Sequence, residues 1–307
     1  MAMDSQLRET LRLGRIGYRN VLPVYYPLET GKVPHSFEIV SGIPSHLNEL
    51  MAQGELDLSP VSSIEYARHP ERYFILPHLS ISSRSKHEGE VQSVLLLSRQ
   101  PIDSLDGETI WVSTQSHTSV ALLKALFALY LEKQVHFKPA ACSQAIEGGD
   151  HPAAFLAIGN EALQLRQHPL YPYHWDLGKA WFDWTGLPFV FALWVIQRKA
   201  VERWNGRLDP AVRGLLSAKE WGLAHLDEIC NQAAGEGILG IRKLHDYYDH
   251  LGYDLQGEEQ RSLELFYSCL HRVGEVDAVP ELHLYSPTVS PVREEPAVRP
   301  TELRAEW

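Results

Sequence analysis

Two apolar runs constrain this chain more than any other feature. Val91–Ser98 and Phe189–Ile196 each have the length and make-up of a buried strand, and they bracket residues 99–188. A chain of 307 residues is too long for one small core and suits one large α/β unit or two lobes. If each run carries the chain from one lobe to the other, the bracketed block is an inserted lobe. The expected division is therefore a discontinuous first lobe of residues 1–96 and 192–278 and an inserted second lobe of residues 97–191. Residues 279–307 are rich in proline and charge and are expected to form a disordered tail.

The segments on either side alternate in type. Leu11–Gly17 reads as a first strand and opens into Tyr18-Arg19-Asn20, a turn leading to a short helix through Tyr26. Phe37–Val40 reads as a strand, followed by a helix with Pro44 in its first turn and Gly54 as its stop. Leu56–Ser59 is a short strand, Pro60–Ala67 a short helix and Thr109–Ser113 a further strand. Thr118–Glu132 is apolar nearly all round, which predicts a buried helix. Ala153–Ile158 reads as a strand ending in Gly159-Asn160, and residues 200–256 and 260–273 as mostly helical. Strand and helix in alternation predict an α/β fold.

Composition removes several function classes. The formal net charge is −11, and an acidic surface repels nucleic acid and anionic membrane alike. A small anionic substrate remains compatible, provided that its carboxylates are met locally. Three widely spaced cysteines, Cys142, Cys230 and Cys269, contain no CxxC pair, so neither a zinc knuckle nor a dithiol redox site is expected. The polar start and the absence of any apolar run of spanning length predict a soluble, cytoplasmic protein. No HExxH, P-loop, GxSxG or dinucleotide fingerprint is present, so no metal and no organic cofactor is expected. Oligomeric state, monomer or dimer, is open.

Candidate site residues cluster where strands end. Ser113–Ser119 holds five hydroxyls in seven positions between a strand and a helix. Helix capping needs one of them, whereas a carboxylate site uses several, together with the free N–H groups of a helix start. Asn20 follows the first strand, Ser62 follows the third, Ser93 stands inside an apolar strand, and Gly159-Asn160 follow another. Ligands in open α/β sheets sit beyond such carboxyl ends. Trp175, Trp181, Trp184 and Trp194 read as core, and His245 and His250 as surface residues of a helix.

Taken in order, several stretches resemble the menaquinone-biosynthesis family that contains chorismate dehydratase. They are Gly17-Tyr-Arg-Asn-Val-Leu-Pro23, Gly54-Glu-Leu-Asp-Leu-Ser-Pro-Val61, Val91-Gln-Ser-Val94, Ser113-Thr-Gln-Ser-His-Thr-Ser-Val120, Ala157-Ile-Gly-Asn160, Asp176-Leu-Gly178 and Trp184-Thr-Gly-Leu-Pro-Phe-Val-Phe-Ala192. The resemblance implies a two-lobed fold of the periplasmic-binding-protein type II kind, with a ligand cleft between lobes. It implies a hydro-lyase that converts chorismate to 3-[(1-carboxyvinyl)oxy]benzoate and water. By the same resemblance Asn20, given the catalytic role, Ser93 and Thr114, Gln115, Ser116, His117, Thr118 and Ser119 take the family's binding positions, while Ser62, Gly159 and Asn160 join them as substrate-binding candidates from their places after strands. The proton acceptor is either the substrate's own carboxylate or His117. Two departures are visible: Asn160 stands where the family has aspartate, and the loop Ser83–Glu90 is long. A sister synthase of 1,4-dihydroxy-6-naphthoate and a non-catalytic solute-binding protein or sensor are the alternatives. The first of these characteristically opens with a Ser-Pro-Cys-Pro-Asn-Asp-like segment that this chain lacks.

Overall fold

A computed structural model describes residues 10–113, 116–204, 206–235 and 237–287. The chain lays down β1 (Leu11–Ile16), β2 (Phe37–Gly42), β3 (Leu58–Ser62) and β4 (Tyr73–Ser83) in one sheet. It then crosses to a second sheet for β5 (Val94–Ser98), β6 (Thr109–Val112), β7 (His136–Pro139), β8 (Ala154–Ile158) and β9 (Tyr173–Asp176). It returns to the first sheet with β10 (Val190–Gln197) and β11 (Leu251–Gly252).

The helices α1 (Leu22–Glu29), α2 (Pro44–Gln53) and α3 (Ser63–Arg68) separate the early strands. Those between strands of the second sheet, or leading out of it, are α4 (His117–Ala125), α5 (Cys142–Glu147), α6 (Gly159–Leu165) and α7 (Leu177–Thr185). After β10 come α8 (Arg198–Arg203), α9 (Leu208–Ala224), α10 (Leu226–Ala234), α11 (Ile241–His250) and α12 (Gly257–Arg272).

The first sheet has the order β11-β4-β10-β3-β1-β2 and the second β7-β6-β8-β5-β9. In the first, β1 runs parallel to β2 and β3 while β10 runs against β3 and β4. In the second, β6 runs parallel to β7 and β8 while β5 runs against β8 and β9. Each sheet thus has a parallel core and a reversed strand arriving from the other sheet, and in the first sheet the short edge strand β11 also runs against β4. The fully buried strands are apolar on both faces, as Val94–Ser98 and Ala154–Ile158 show, because helices cover both sides. Helix α9 sits so close to α1 that a Cβ on Gly222 would lie 1.8 Å from the Pro23 carbonyl oxygen. Only glycine fits there.

Several expectations need correction. The crossovers fall between Ser83 and Val94 and between Thr185 and Val190, so the expected boundaries at 96/97 and 191/192 would cut through β5 and β10. The tail does not begin at residue 279. Leu284 bridges to Ile75 in the parallel sense, and Tyr285 is buried with its hydroxyl donating to Asp209 Oδ1 at 2.5 Å. Two apolar side chains and a strand edge anchor a segment whose prolines read as disorder; residues 288–307 lie outside the described residues. The tryptophans belong to the core as expected: Trp181 and Trp194 are buried, Trp194 stacks with Tyr25, and Trp181 packs edge-on against Trp184, Phe189 and Phe266.

Candidate functional site

A cleft of about 730 Å³ opens where the parallel strands end. Strand β1 delivers Ile16 and, in the turn after it, Tyr18 and Asn20; β3 delivers Pro60, Val61 and Ser62. From the second sheet come Ser116, Thr118 and Ser119 beyond β6, and Ile158 and Gly159 at the end of β8. The crossover contributes Val91, Ser93 and Val94. The cleft is therefore built by strand termini of both sheets and by the segment joining them, the placement expected for a ligand site in α/β proteins.

Of the sequence-predicted residues, Asn20, Ser62, Ser93, Ser116, Thr118, Ser119 and Gly159 come together in this cleft. Thr114 and Gln115 lie outside the described residues. His117 is exposed and does not line the cleft, because the first helical turn points it away from the wall formed by Thr118 and Ser119. Asn160 faces a side pocket of about 630 Å³ that shares Tyr18 and Ile158 with the cleft.

The hydroxyls divide into bound and unbound. Ser116 caps nothing with its side chain and donates instead to Ser119 Oγ at 2.9 Å. Thr118 Oγ1 accepts from the backbone N–H of Ile64 at 3.1 Å, tying the start of α4 to the start of α3. Ser62 stands at the N-cap of α3 without capping it, and its Oγ is buried with no hydrogen-bond partner among the described residues. Asn20 Oδ1, Asn160 Oδ1 and the Tyr18 hydroxyl are in the same condition. A buried polar atom without a partner costs about 1–3 kcal/mol, and those of Ser62, Asn20 and Tyr18, which line the cleft, mark where a polar ligand would satisfy them.

No charged side chain lines the cleft among the described residues, and its walls include Ile16, Pro44, Pro60, Ile81, Leu251 and Phe191. Arg19 is buried and donates to the Ala233 carbonyl at 2.8 Å. The cleft thus offers neutral hydrogen-bonding groups in apolar surroundings. Burial, with the Glu161 carboxylate adding to it, pushes the Tyr18 phenol up from its ordinary value, so Tyr18 is a phenol and not a phenolate at neutral pH. Gly159 has φ +55, and a Cβ there would meet Tyr18 Cδ1 at 3.1 Å; glycine lets the aromatic ring from one sheet lie against the other.

The crossover is held by one carboxylate. Gln92 takes the left-handed conformation, φ 62, and the N–H groups of Val91 and Gln92 donate to Asp176 Oδ2 at 3.1 and 2.7 Å. The other oxygen of Asp176 caps α7 by accepting from Gly178 and Lys179. Burial outweighs these donors and raises the Asp176 carboxyl to about 6, with Glu90 adding repulsion.

Sequence reasoning missed the residues behind the cleft. Tyr247, Tyr248 and Tyr253 are buried and donate to Ser93 Oγ, to the Arg19 carbonyl and to the Asn20 carbonyl at 3.3, 3.0 and 2.8 Å. The only signal in the sequence is three tyrosines within residues 247–253, which reads equally as a surface stripe. His250, read as a surface residue, is buried and stacks on His87 with ring centroids 4.0 Å apart.

No group of three His, Cys, Asp or Glu side chains among the described residues is placed to hold a metal ion. No helix among them is long and apolar enough to cross a membrane.

Two parallel-cored sheets, exchanged strands and a cleft at the strand ends define a two-lobed α/β protein of the periplasmic-binding-protein type II class. Solved structures share the fold. A protein from Archaeoglobus fulgidus superposes with TM-score 0.70 at 18% identity, covering 87% of this chain and 98% of its own. The periplasmic aliphatic sulphonate binding protein of Escherichia coli does so with TM-score 0.62 at 14% identity, covering 98% and 97%. Within that class the chain belongs to the menaquinone biosynthesis family, whose pattern matches residues 11–272. It is 30% identical over 279 residues to a chorismate dehydratase of Thermus thermophilus, covering 84% of this chain and 94% of the relative. It is 26% identical to a 1,4-dihydroxy-6-naphtoate synthase of the same organism, covering 83% and 92%.

Proposed function

We propose that this chain is a chorismate dehydratase, a hydro-lyase that converts chorismate to 3-[(1-carboxyvinyl)oxy]benzoate and water in menaquinone biosynthesis. The observation that carries this reading is the lining of the cleft. Neutral amide and hydroxyl groups, several of them without partners, sit in apolar walls with no charged side chain among the described residues.

Dehydration removes the proton on the ring carbon bearing the enolpyruvyl ether and expels the neighbouring hydroxyl. No carboxylate or histidine of the described lining stands ready to take that proton. The enolpyruvyl carboxylate of the substrate takes it and returns it to the departing hydroxyl, which leaves as water. The ring's two new π electrons come from the broken C–H bond, and the product's aromaticity drives the step. The protein holds the conformer in which carboxylate and ring proton meet, so proximity supplies much of the acceleration. Asn20 Oδ1, buried and without a partner among the described residues, accepts from the departing hydroxyl. Ser62, Ser93 and the Ser116–Ser119 turn meet the carboxylates with O–H and N–H donors.

The proposal includes a cytoplasmic location, which the three free and buried cysteines suit. The test is to incubate purified protein with chorismate in chelator-treated buffer and follow the products by chromatography and mass. Loss of one water, giving the enolpyruvyl-oxybenzoate, is the expected result. Unchanged chorismate with folded protein overturns it and favours the sister synthase activity.

A further inference from the structure

Ser93 is a cleft hydroxyl whose Oγ is held by a phenol from behind the cleft wall. Its backbone is fully committed: its N–H donates to the Val91 carbonyl at 2.8 Å and its carbonyl accepts from Gly159 at 2.7 Å. Its Oγ receives the Tyr247 hydroxyl at 3.3 Å. Tyr247 belongs to α11, is 1% exposed and does not line the cleft. The separation is long for an O–H···O bond, yet a phenol so deeply buried stays at its partner because leaving it unpaired costs more.

Direction matters here. A phenol is a stronger acid than an alcohol, hence the better donor and the poorer acceptor. Burial raises the Tyr247 phenol to about 12, so it keeps its proton throughout the working range and remains a donor. With one lone pair of Ser93 Oγ so occupied, the serine's own proton is left to point forward, into the cleft. A hydroxyl that accepts one hydrogen bond also donates a stronger one.

We infer that Tyr247 is a positioning residue that commits the Ser93 hydroxyl to donate to a carboxylate of the bound substrate. The inference rests on the chorismate dehydratase reading, since it requires an anionic ligand in this cleft. Tyr248 and Tyr253 perform the matching service for the opposite wall, where their hydroxyls hold the carbonyls of Arg19 and Asn20. One short segment, residues 247–253, therefore fixes both the Asn20 turn and the Ser93 hydroxyl. Its three phenols leave the amide of Asn20 and the hydroxyl of Ser93 as the groups presented to ligand.

The test is a double-mutant cycle with Tyr247→Phe, Ser93→Ala and the pair, reading chorismate turnover and, by calorimetry, chorismate binding. Y247F removes one oxygen from a site it otherwise fills, and thermal unfolding checks that it folds; Tyr247→Leu replaces it if it does not. The expected result is a rise in KM and Kd of roughly fivefold for Y247F with kcat nearly unchanged, the size of one lost hydrogen bond. In the S93A background the same substitution should have no further effect, which a merely structural tyrosine would not show. Y247F indistinguishable from wild type, or an undiminished effect in S93A, overturns the inference while wild-type activity leaves the function standing. A folded wild-type chain that neither binds nor dehydrates chorismate overturns the functional reading and this inference with it.

Discussion

Asn20 carries an amide oxygen without a partner among the described residues, and its backbone is pinned by the Tyr253 hydroxyl. An immobile acceptor of this kind suits a group that meets the substrate most strongly as the hydroxyl departs. Asn20→Ala is therefore expected to lower kcat about ten- to a hundredfold with a smaller change in KM, the pattern of an interaction realised in the transition state. A rise in KM alone would make Asn20 a binding group only. His117 is exposed and outside the cleft, so steady-state rates for His117→Ala should stay within about twofold of wild type. Asn20 and Ser62 were legible in the sequence because each follows a strand, where α/β sheets place ligands, whereas Ser93 was legible only through the family resemblance. Tyr247 was not, because its meaning lies in Ser93, 154 positions away, and no local pattern joins them.

At the scale of elements, uninterrupted apolar strands were legible and broken ones were not. Strand β4 escaped notice because Pro77 and His78, the latter at φ 60, interrupt its alternation; its register against β10 shifts where they stand. The run Val91–Ser98 was read three residues too long at its start because Val91 and Gln92 turn aside to donate to Asp176. That carboxylate gives a prediction with a definite sign. Asp176 takes its proton near pH 6 in the folded chain, against 3.8 in its unperturbed state. Between these values the folded state binds more protons, so the Asp176 contribution to stability is fully present below about pH 4 and is lost as pH rises through 6. Asp176→Asn has no such titration and carries a constant penalty, because its amide N–H₂ faces two backbone N–H donors. In urea unfolding, the stability margin of wild type over D176N should narrow from pH 4 to pH 6 and then level off. A margin that widens over that interval would show that the four N–H donors outweigh burial.

For the whole molecule, the sequence made the two-lobed plan visible because the two connecting segments, around Val94 and Val190, read as strands that bracket the middle block. It misplaced the crossovers because their turns are set by contacts distant in sequence. The same non-locality governs how the lobes meet at the cleft. Helix α3 begins at the end of a first-sheet strand and α4 beyond the end of a second-sheet strand, and Thr118 Oγ1 accepts the Ile64 N–H across that junction. The cap of α3 is thus supplied by the other lobe. Its own N-cap residue, Ser62, is left with a hydroxyl in the cleft that has no partner among the described residues. Capping one helix from another lobe and freeing a ligand group are one arrangement. Thr118→Val keeps the shape and removes the acceptor, so the Ile64 N–H must find another partner, and Ser62 is the nearest cap by sequence. The expected outcome is a loss of about 1 kcal/mol in urea unfolding, the usual worth of a helix cap, accompanied by weaker chorismate binding as Ser62 turns away from the ligand. Stability lost with binding unchanged would mean that Ser62 does not touch the substrate. Unchanged stability would mean that the bond between the lobes contributes nothing to holding them together.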